Sequence, residues 1–250
     1  MSLQRCLRLA GLVLAVMLMS HPAYADLKDI PLVVAHQSGG ATTYSLSVKI
    51  VALMTLLTVL PALLITTTAF TRIIIVLAIL RQAIGIPNVP TNQILIGLAL
   101  IMTLFVMRPI IEHVNTVSVQ PYLAGQITEE VALSNAMADL KSFMLKQTHK
   151  SDLKLFYELS KTPVAKNGDH PFLVVLPAYI TSELKTSFEI GFLIFIPFLI
   201  IDLVVASILM SIGMMMLSPM IISLPFKILF FVLVDGWSLV AASLVTSFRI

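Results

Sequence analysis

A chain of 250 residues that is 58% hydrophobic and only 12% charged is too apolar for an ordinary soluble domain, so much of its surface must face lipid or other protein. The formal net charge of +3 is small, and the basic residues form no dense patch interleaved with aromatics, which argues against nucleic-acid binding. The single cysteine, Cys6, lies in a segment expected to be removed, which leaves the mature chain no disulfide and no cysteine metal site.

Arg5 and Arg8 make a basic start, Leu9 to Met19 is a short apolar run, and His21-Pro22 break it. Ala23-Tyr24-Ala25 then places small residues at the two positions a signal peptidase reads. Residues 1–25 therefore read as a cleaved signal peptide. An uncleaved first span is disfavoured, because the apolar run falls short of the ~20 residues a spanning helix needs. The mature N-terminus then starts outside the cytoplasmic membrane.

Residues 26–44 are polar, contain Gly39-Gly40, and read as an irregular exposed leader. Residues 45–109 read as a first apolar helical hairpin. Its first arm, Ile50 to Leu80, is broken by Pro61 and Arg72. Its turn runs from Arg81 to Asn92, with Gly85, Pro87 and Pro90, and its return arm, Ile94 to Met107, ends at Arg108-Pro109. Residues 110–182 read as a small water-exposed helical domain. Val131, Met137, Leu140, Met144, Leu155, Phe156 and Leu159 recur there at helical spacing, and polar Gln147 to Ser151 is suited to joining two helices. Residues 183–250 read as a second apolar hairpin, with arms Glu189–Leu217 and Met220–Val245. Gly213-Met214-Met215-Met216 and Ser218-Pro219 lie at its tip.

The predicted fold class is therefore all-α: two long apolar helical hairpins flanking a small helical domain, with no internal repeat. Arg72 and Arg81 near the first connection favour the cytoplasmic side. Long loops cross largely regardless of charge, so an exported N-terminus puts the middle domain outside and both tips toward the cytoplasm.

Asp202, Lys227 and Asp235 sit inside apolar arms, where an ionised group costs roughly 2.5–3.5 kcal/mol at mid-bilayer. Lys227 and Asp235 are separated by about 12 Å along a helix, too far for a direct pair. Asp202 and Lys227 lie on opposite arms at depths differing by only ~4–5 Å, and can pair across the hairpin. The competing reading has Lys227 snorkelling to a membrane surface and Asp202 capping local backbone. Either way, such helices belong inside an assembly or beside a wet passage. Arg72, after Thr66-Thr67-Thr68, is likewise better explained by helix–helix contact than by lipid.

Three consecutive methionines at the tip admit three chemistries. They bind Cu(I), fill core gaps, or form a deformable gate that seals against ions and reshapes around a passing chain. No His, Cys or second methionine motif supports the metal reading. There is no phosphate-binding Gly-rich loop, no Gly-x-Ser-x-Gly and no His-Glu-x-x-His, so neither a cofactor nor catalysis is expected. An ion-coupled small-solute transporter suits charges inside apolar arms, but normally has more spans and often a repeat.

Pro177-Ala178-Tyr179-Ile180-Thr181-Ser182-Glu183-Leu184, continuing to Phe188-Glu189-Ile190-Gly191-Phe192, closely resembles a signature of the FliP family. Pro225-Phe226-Lys227-Ile228, continuing to Asp235-Gly236-Trp237, resembles that family's second signature. Leu80-Arg81-Gln82, the turn from Pro87 to Gln93 and the Met214–Met216 tip agree as well. The cleavable signal and exposed leader point to the flagellar branch rather than to virulence-secretion relatives.

The resemblance implies a non-enzymatic subunit of the type III export gate, assembled with FliR and FliQ into a helical cone at the channel entrance. FlhB and FlhA are then further partners, and unfolded flagellar proteins the cargo. It implies a homo-oligomer, expected to be a pentamer, in the bacterial inner membrane within the flagellar basal body. Met214, Met215 and Met216 then form the gate. Glu183 meets Lys227 across a subunit boundary and is favoured over Asp202 as its main partner. Arg72, Arg81, Asp235 and Trp237 become assembly contacts.

Overall fold

The computed structural model describes residues 33–38, 41–46, 48–86, 88–161, 170–214 and 217–249. The signal peptide (residues 1–25), the start of the leader, and Pro87, Met215 and Met216 lie outside the described residues. The chain divides into two compact units, residues 1–59 and 60–250.

In the first unit, the expected irregular leader instead holds two antiparallel strands, β1 (Val33–Ser38) and β2 (Ala41–Leu46). Val33 pairs with Leu46 and Ser38 with Ala41. Val33, Val34, Thr42, Thr43 and Tyr44 suit a pleated strand, and the intervening Gly39-Gly40 is a sequence that tight hairpins favour. Helix α1 (Val48–Thr66) follows.

The second unit is helical, as the apolar periodicity predicts. After α1 come α2 (Phe70–Ile84), α3 (Asn92–Val114), a π-helical turn (Asn115–Val119), α4 (Gln120–Leu123), α5 (Glu129–Gln147) and α6 (Lys150–Ser160). The long α7 (Phe172–Ser211), α8 (Pro219–Leu233) and α9 (Gly236–Thr246) complete it.

In the first arm the break falls where hydroxyls and packing decide, not where the proline stands. The first apolar arm carries Pro61 inside α1 and breaks instead at Thr67–Ala69. Thr66, Thr67 and Thr68 each turn a hydroxyl back onto a carbonyl three or four residues earlier, which bends a helix. The Tyr179 hydroxyl donates to the Thr68 carbonyl at 2.9 Å and so satisfies an acceptor exposed by the break.

The return arm does not end at Arg108-Pro109. Its helix runs on through Pro109, giving a 32-residue segment, Asn92–Leu123, that contains an 18-residue stretch of mean hydropathy 2.4. One proline in that position forfeits a single backbone bond, while apolar Ile110 and Ile111 continue the pattern.

Likewise α7 begins at Phe172, inside the expected middle domain, and continues for 40 residues through Pro177 and Pro197. Its first half is buried at Val174, Val175, Ala178, Tyr179 and Ser182, facing α2, α5 and α6. The two expected hairpins are therefore not separate bodies. Helix α2 is the centre of the unit, packed against α3, α7 and α8. Ile73, Val76, Leu77 and Leu80 of α2, Leu95, Ala99 and Val106 of α3, and Val175 and Tyr179 of α7 share one core. A Cβ added at Gly191 would overlap the Ile79 side chain, so this glycine sets the close approach of α7 to α2.

Helices α8 and α9 bend by 65° at Val234–Asp235, where Asp235 adopts the left-handed conformation (φ 50°). Segments Asn92–Leu123 and Phe172–Ser211 are each long and apolar enough to cross a membrane, and two bent helix pairs qualify if each counts as one span. Leu193, Leu203 and Val204 of α7 and Ile221, Leu229 and Leu233 of α8 are exposed. Apolar surface on this scale calls for lipid or a protein neighbour.

Candidate functional site

Two buried charge networks stand at opposite ends of α2. At its start, Arg72 is only 2% exposed and Glu183 of α7 is fully buried. The guanidinium grips the carboxylate with both edges of its fork: Nε donates to Oε2 at 2.8 Å and Nη2 to Oε1 at 2.5 Å. Nη1 donates to the Ser247 carbonyl at 2.9 Å and the Ser247 hydroxyl at 3.0 Å, and Nη2 reaches Gln147 Oε1 at 3.4 Å. The Phe248 ring lies 3.9 Å from the guanidinium carbon. All five N–H donors of Arg72 are thereby used. A bidentate, fully hydrogen-bonded pair is the arrangement in which a buried charge is tolerated.

This network ties together four stretches of chain. Gln147, at the end of α5, also donates to the Arg249 carbonyl at 2.8 Å and accepts from its N–H at 3.3 Å. The link from α5 to α6 is pinned to α7 as well. The His149 N–H donates to the Ser182 hydroxyl at 3.0 Å, and Ser182 donates to Asp152 at 2.6 Å.

At the other end of α2, Lys227 Nζ donates to Asp202 Oδ2 at 2.6 Å, and the Ser223 hydroxyl donates to Asp202 Oδ1 at 2.5 Å. Lys227 is buried, while Asp202 keeps partial access to solvent. Gly85, in the left-handed conformation (φ 89°), caps α2 close by: a Cβ there would lie 3.8 Å from Lys227 Nζ. The partially negative C-terminal end of α2 thus stands beside the ammonium. Arg81 braces the same turn, donating from Nη1 to Asn92 Oδ1 at 2.6 Å and to the Pro90 carbonyl at 3.3 Å.

The structure joins Asp202 to Lys227, as their matching depths suggested. It does not join Glu183 to Lys227 within one chain: Glu183 belongs to Arg72. Arg72, expected at an assembly contact, is instead turned wholly inward, because every donor has a partner in its own chain. Asp235 is exposed, and Trp237 is half-exposed with its ring edge-to-face on Phe231 at 5.3 Å. Met214, 45% exposed, follows Gly213 (φ 81°) in the turn between α7 and α8. Ser223 and Ser247 escaped the sequence reading, and Gln147 entered it only as the start of a polar linker, whereas it is the last residue of α5. Only Ser223 carried a signal, four residues before Lys227 on one face of α8. Among the described residues, no three His, Cys, Asp or Glu side chains converge to hold a metal ion.

The model of the FliP family matches residues 53–244, a stretch that contains both ion pairs and both signatures. The chain belongs to the FliP family. It is 50% identical over 245 residues to the flagellar biosynthetic protein FliP of Cereibacter sphaeroides, covering 98% of this chain and 81% of that relative. The FliP of Pectobacterium carotovorum subsp. carotovorum is 48% identical over 239 residues, with 95% and 92% covered. The Bacillus subtilis (strain 168) FliP is 49% identical over 205 residues, with 82% and 93% covered. As a member of the FliP family with two helices of spanning length, the chain is a membrane-embedded structural component of the flagellar export apparatus. Nothing in these matches favours a small-solute transporter. The family match ends before Ser247, so the Arg72 contacts to Ser247 and Phe248 lie beyond it.

Proposed function

We propose that the chain is a core subunit of the flagellar type III export gate. Several copies, joined by FliQ and FliR and then FlhB and FlhA, form the channel through which unfolded flagellar proteins leave the cell. The subunit is a multi-pass protein of the bacterial inner membrane within the basal body, with residues 110–182 outside and both hairpin tips toward the cytoplasm. The observation that carries this reading is the pairing of inward charges with outward grease. Arg72, Glu183, Asp202 and Lys227 find partners inside the chain, while α7 and α8 leave broad apolar faces uncovered on both sides of the Met214 turn. A subunit built in this way needs neighbours.

Met214, Met215 and Met216 form the gate, one turn from each copy meeting the others around the channel. Unbranched thioether chains seal against ions and still yield to a passing polypeptide. Replacing all three by alanine is expected to raise ion conductance across membranes containing the assembled gate, with assembly unchanged on a sizing column. Unchanged conductance with intact assembly would sink the gate.

Glu183 and Lys227 meet across the subunit boundary, and each must then share or exchange its partner within the chain, Arg72 or Asp202. Exchanging the two charges, Glu183→Lys with Lys227→Glu, should restore ring formation better than either change alone. Failure of the exchange would mean that Arg72 keeps Glu183 in the assembly.

A further inference from the structure

A cleft of about 270 Å³ lies between α3, α5 and the segment after α9, and none of the four residues of the two ion pairs lines it. Pro109, Ile110 and Phe143 form its apolar floor, and His113, Asp139, Ser142, Lys146 and Arg249 supply its polar groups. The two carboxylates nearby each have a neighbour of their own, and neither pairs with Lys146 or Arg249. Asp139 Oδ2 lies 2.8 Å from His113 Nδ1, and Glu112 Oε1 lies 2.7 Å from Arg108 Nε. Lys146 and Arg249 have no carboxylate partner among the described residues, so the cleft offers two cations and a hydroxyl beside the single carboxylate of Asp139, which is turned to His113. Arg249 is not loosely placed: Gln147 holds its N–H and its carbonyl, and Gln147 is itself held by Arg72.

The surface leading into the cleft is apolar. Ile101, Phe105, Pro109 and His113 follow one another every four residues along α3 and so form a single ridge. Ile101 and Phe105 are about two-thirds exposed, on a segment long enough to span a membrane. The ridge runs from exposed hydrocarbon to a basic pocket within three turns, about 18 Å. That sequence of surfaces matches an acyl chain followed by a phosphate.

We propose that this cleft binds the phosphate of an anionic phospholipid, whose chains lie along the Ile101–Phe105 ridge. Lys146 and Arg249 neutralise the phosphodiester, and Ser142 donates to one of its oxygens. A free phosphate would use the same cations but not the ridge, and an uncharged lipid the ridge but not the cations.

The test is native mass spectrometry of the full chain in detergent with added phosphatidylglycerol, phosphatidylcholine or inorganic phosphate. Phosphatidylglycerol is expected to be retained and phosphatidylcholine to be lost. Lys146→Gln with Arg249→Gln should weaken retention at least tenfold, since each cation near a lipid surface contributes comparably. Lys154→Gln, an exposed lysine of α6 paired with Glu158, should leave retention unchanged and serves as the folding-neutral control. Equal retention of both lipids, or full retention by the double variant, would overturn the proposal. So would displacement of the lipid by millimolar inorganic phosphate.

Discussion

Replacing Arg72 by methionine is expected to destabilise the chain by about 3–5 kcal/mol, the cost of leaving a buried carboxylate without its partner. Glu183 has no solvent to fall back on, being fully buried in the first half of α7. The change also frees Gln147 and the Ser247 carbonyl, so α5 and the segment after α9 lose their common anchor. For a unit of this size the melting midpoint in detergent should fall by roughly 6–20 °C. Arg72→Lys should recover little, because one ammonium cannot grip both carboxylate oxygens, Ser247 and Gln147 together. Arg72→Met combined with Glu183→Leu should recover most of the loss, since no charge is then left unpaired. A double variant no more stable than Arg72→Met would show that the ion pair is not what the site depends on.

Gly236→Ala is expected to cost about 1–3 kcal/mol through overpacking, the second largest effect. A Cβ at Gly236 would run into the Phe231 ring. That ring cannot simply retreat, because Trp237 meets it edge-on at 5.3 Å and Phe198 lies 6.3 Å away on another side. Gly97 supplies the contrast. It sits in α3, and a Cβ there meets nothing within 4 Å. Gly97→Ala should therefore stabilise by about 0.5–1 kcal/mol, from helix propensity alone. Melting the two variants side by side separates packing from backbone entropy. Equal shifts in the same direction would mean that the Phe231 ring yields freely.

Gly236 also shows why part of this molecule is legible from its residues. It belongs to the second FliP signature, together with Lys227 and Trp237, and that signature names the family before any coordinate is known. Its reason for being glycine is a ring five residues away in the chain, on the far side of the Asp235 bend. Nothing in the local pattern announces that ring as the obstacle.

Local forces wrote the parts that the sequence determined by itself. Apolar content and helical spacing demand apolar helices; the polar stretch Gln147–Ser151 holds the break between α5 and α6, which the structure narrows to Thr148–His149; turn residues mark the two connections. The Asp202–Lys227 pair is only half legible: the depths of two antiparallel arms allow it, but Glu183 stands as the favoured partner until the fold gives Glu183 to Arg72. The tertiary structure decided the rest. Arg72 finds Glu183 across 111 residues and Ser247 across 175, separations that no period or spacing encodes. Helix α7 runs on through Pro177 because α2, α5 and α6 bury its first half, and this packing outweighs the backbone bond a proline removes. The first arm bends at Thr67–Ala69 rather than at Pro61 because threonine hydroxyls and the Tyr179 hydroxyl donate to backbone carbonyls there. Elements follow from the chain's own periodicity. Their meeting points follow from which buried polar group must be satisfied by which distant one.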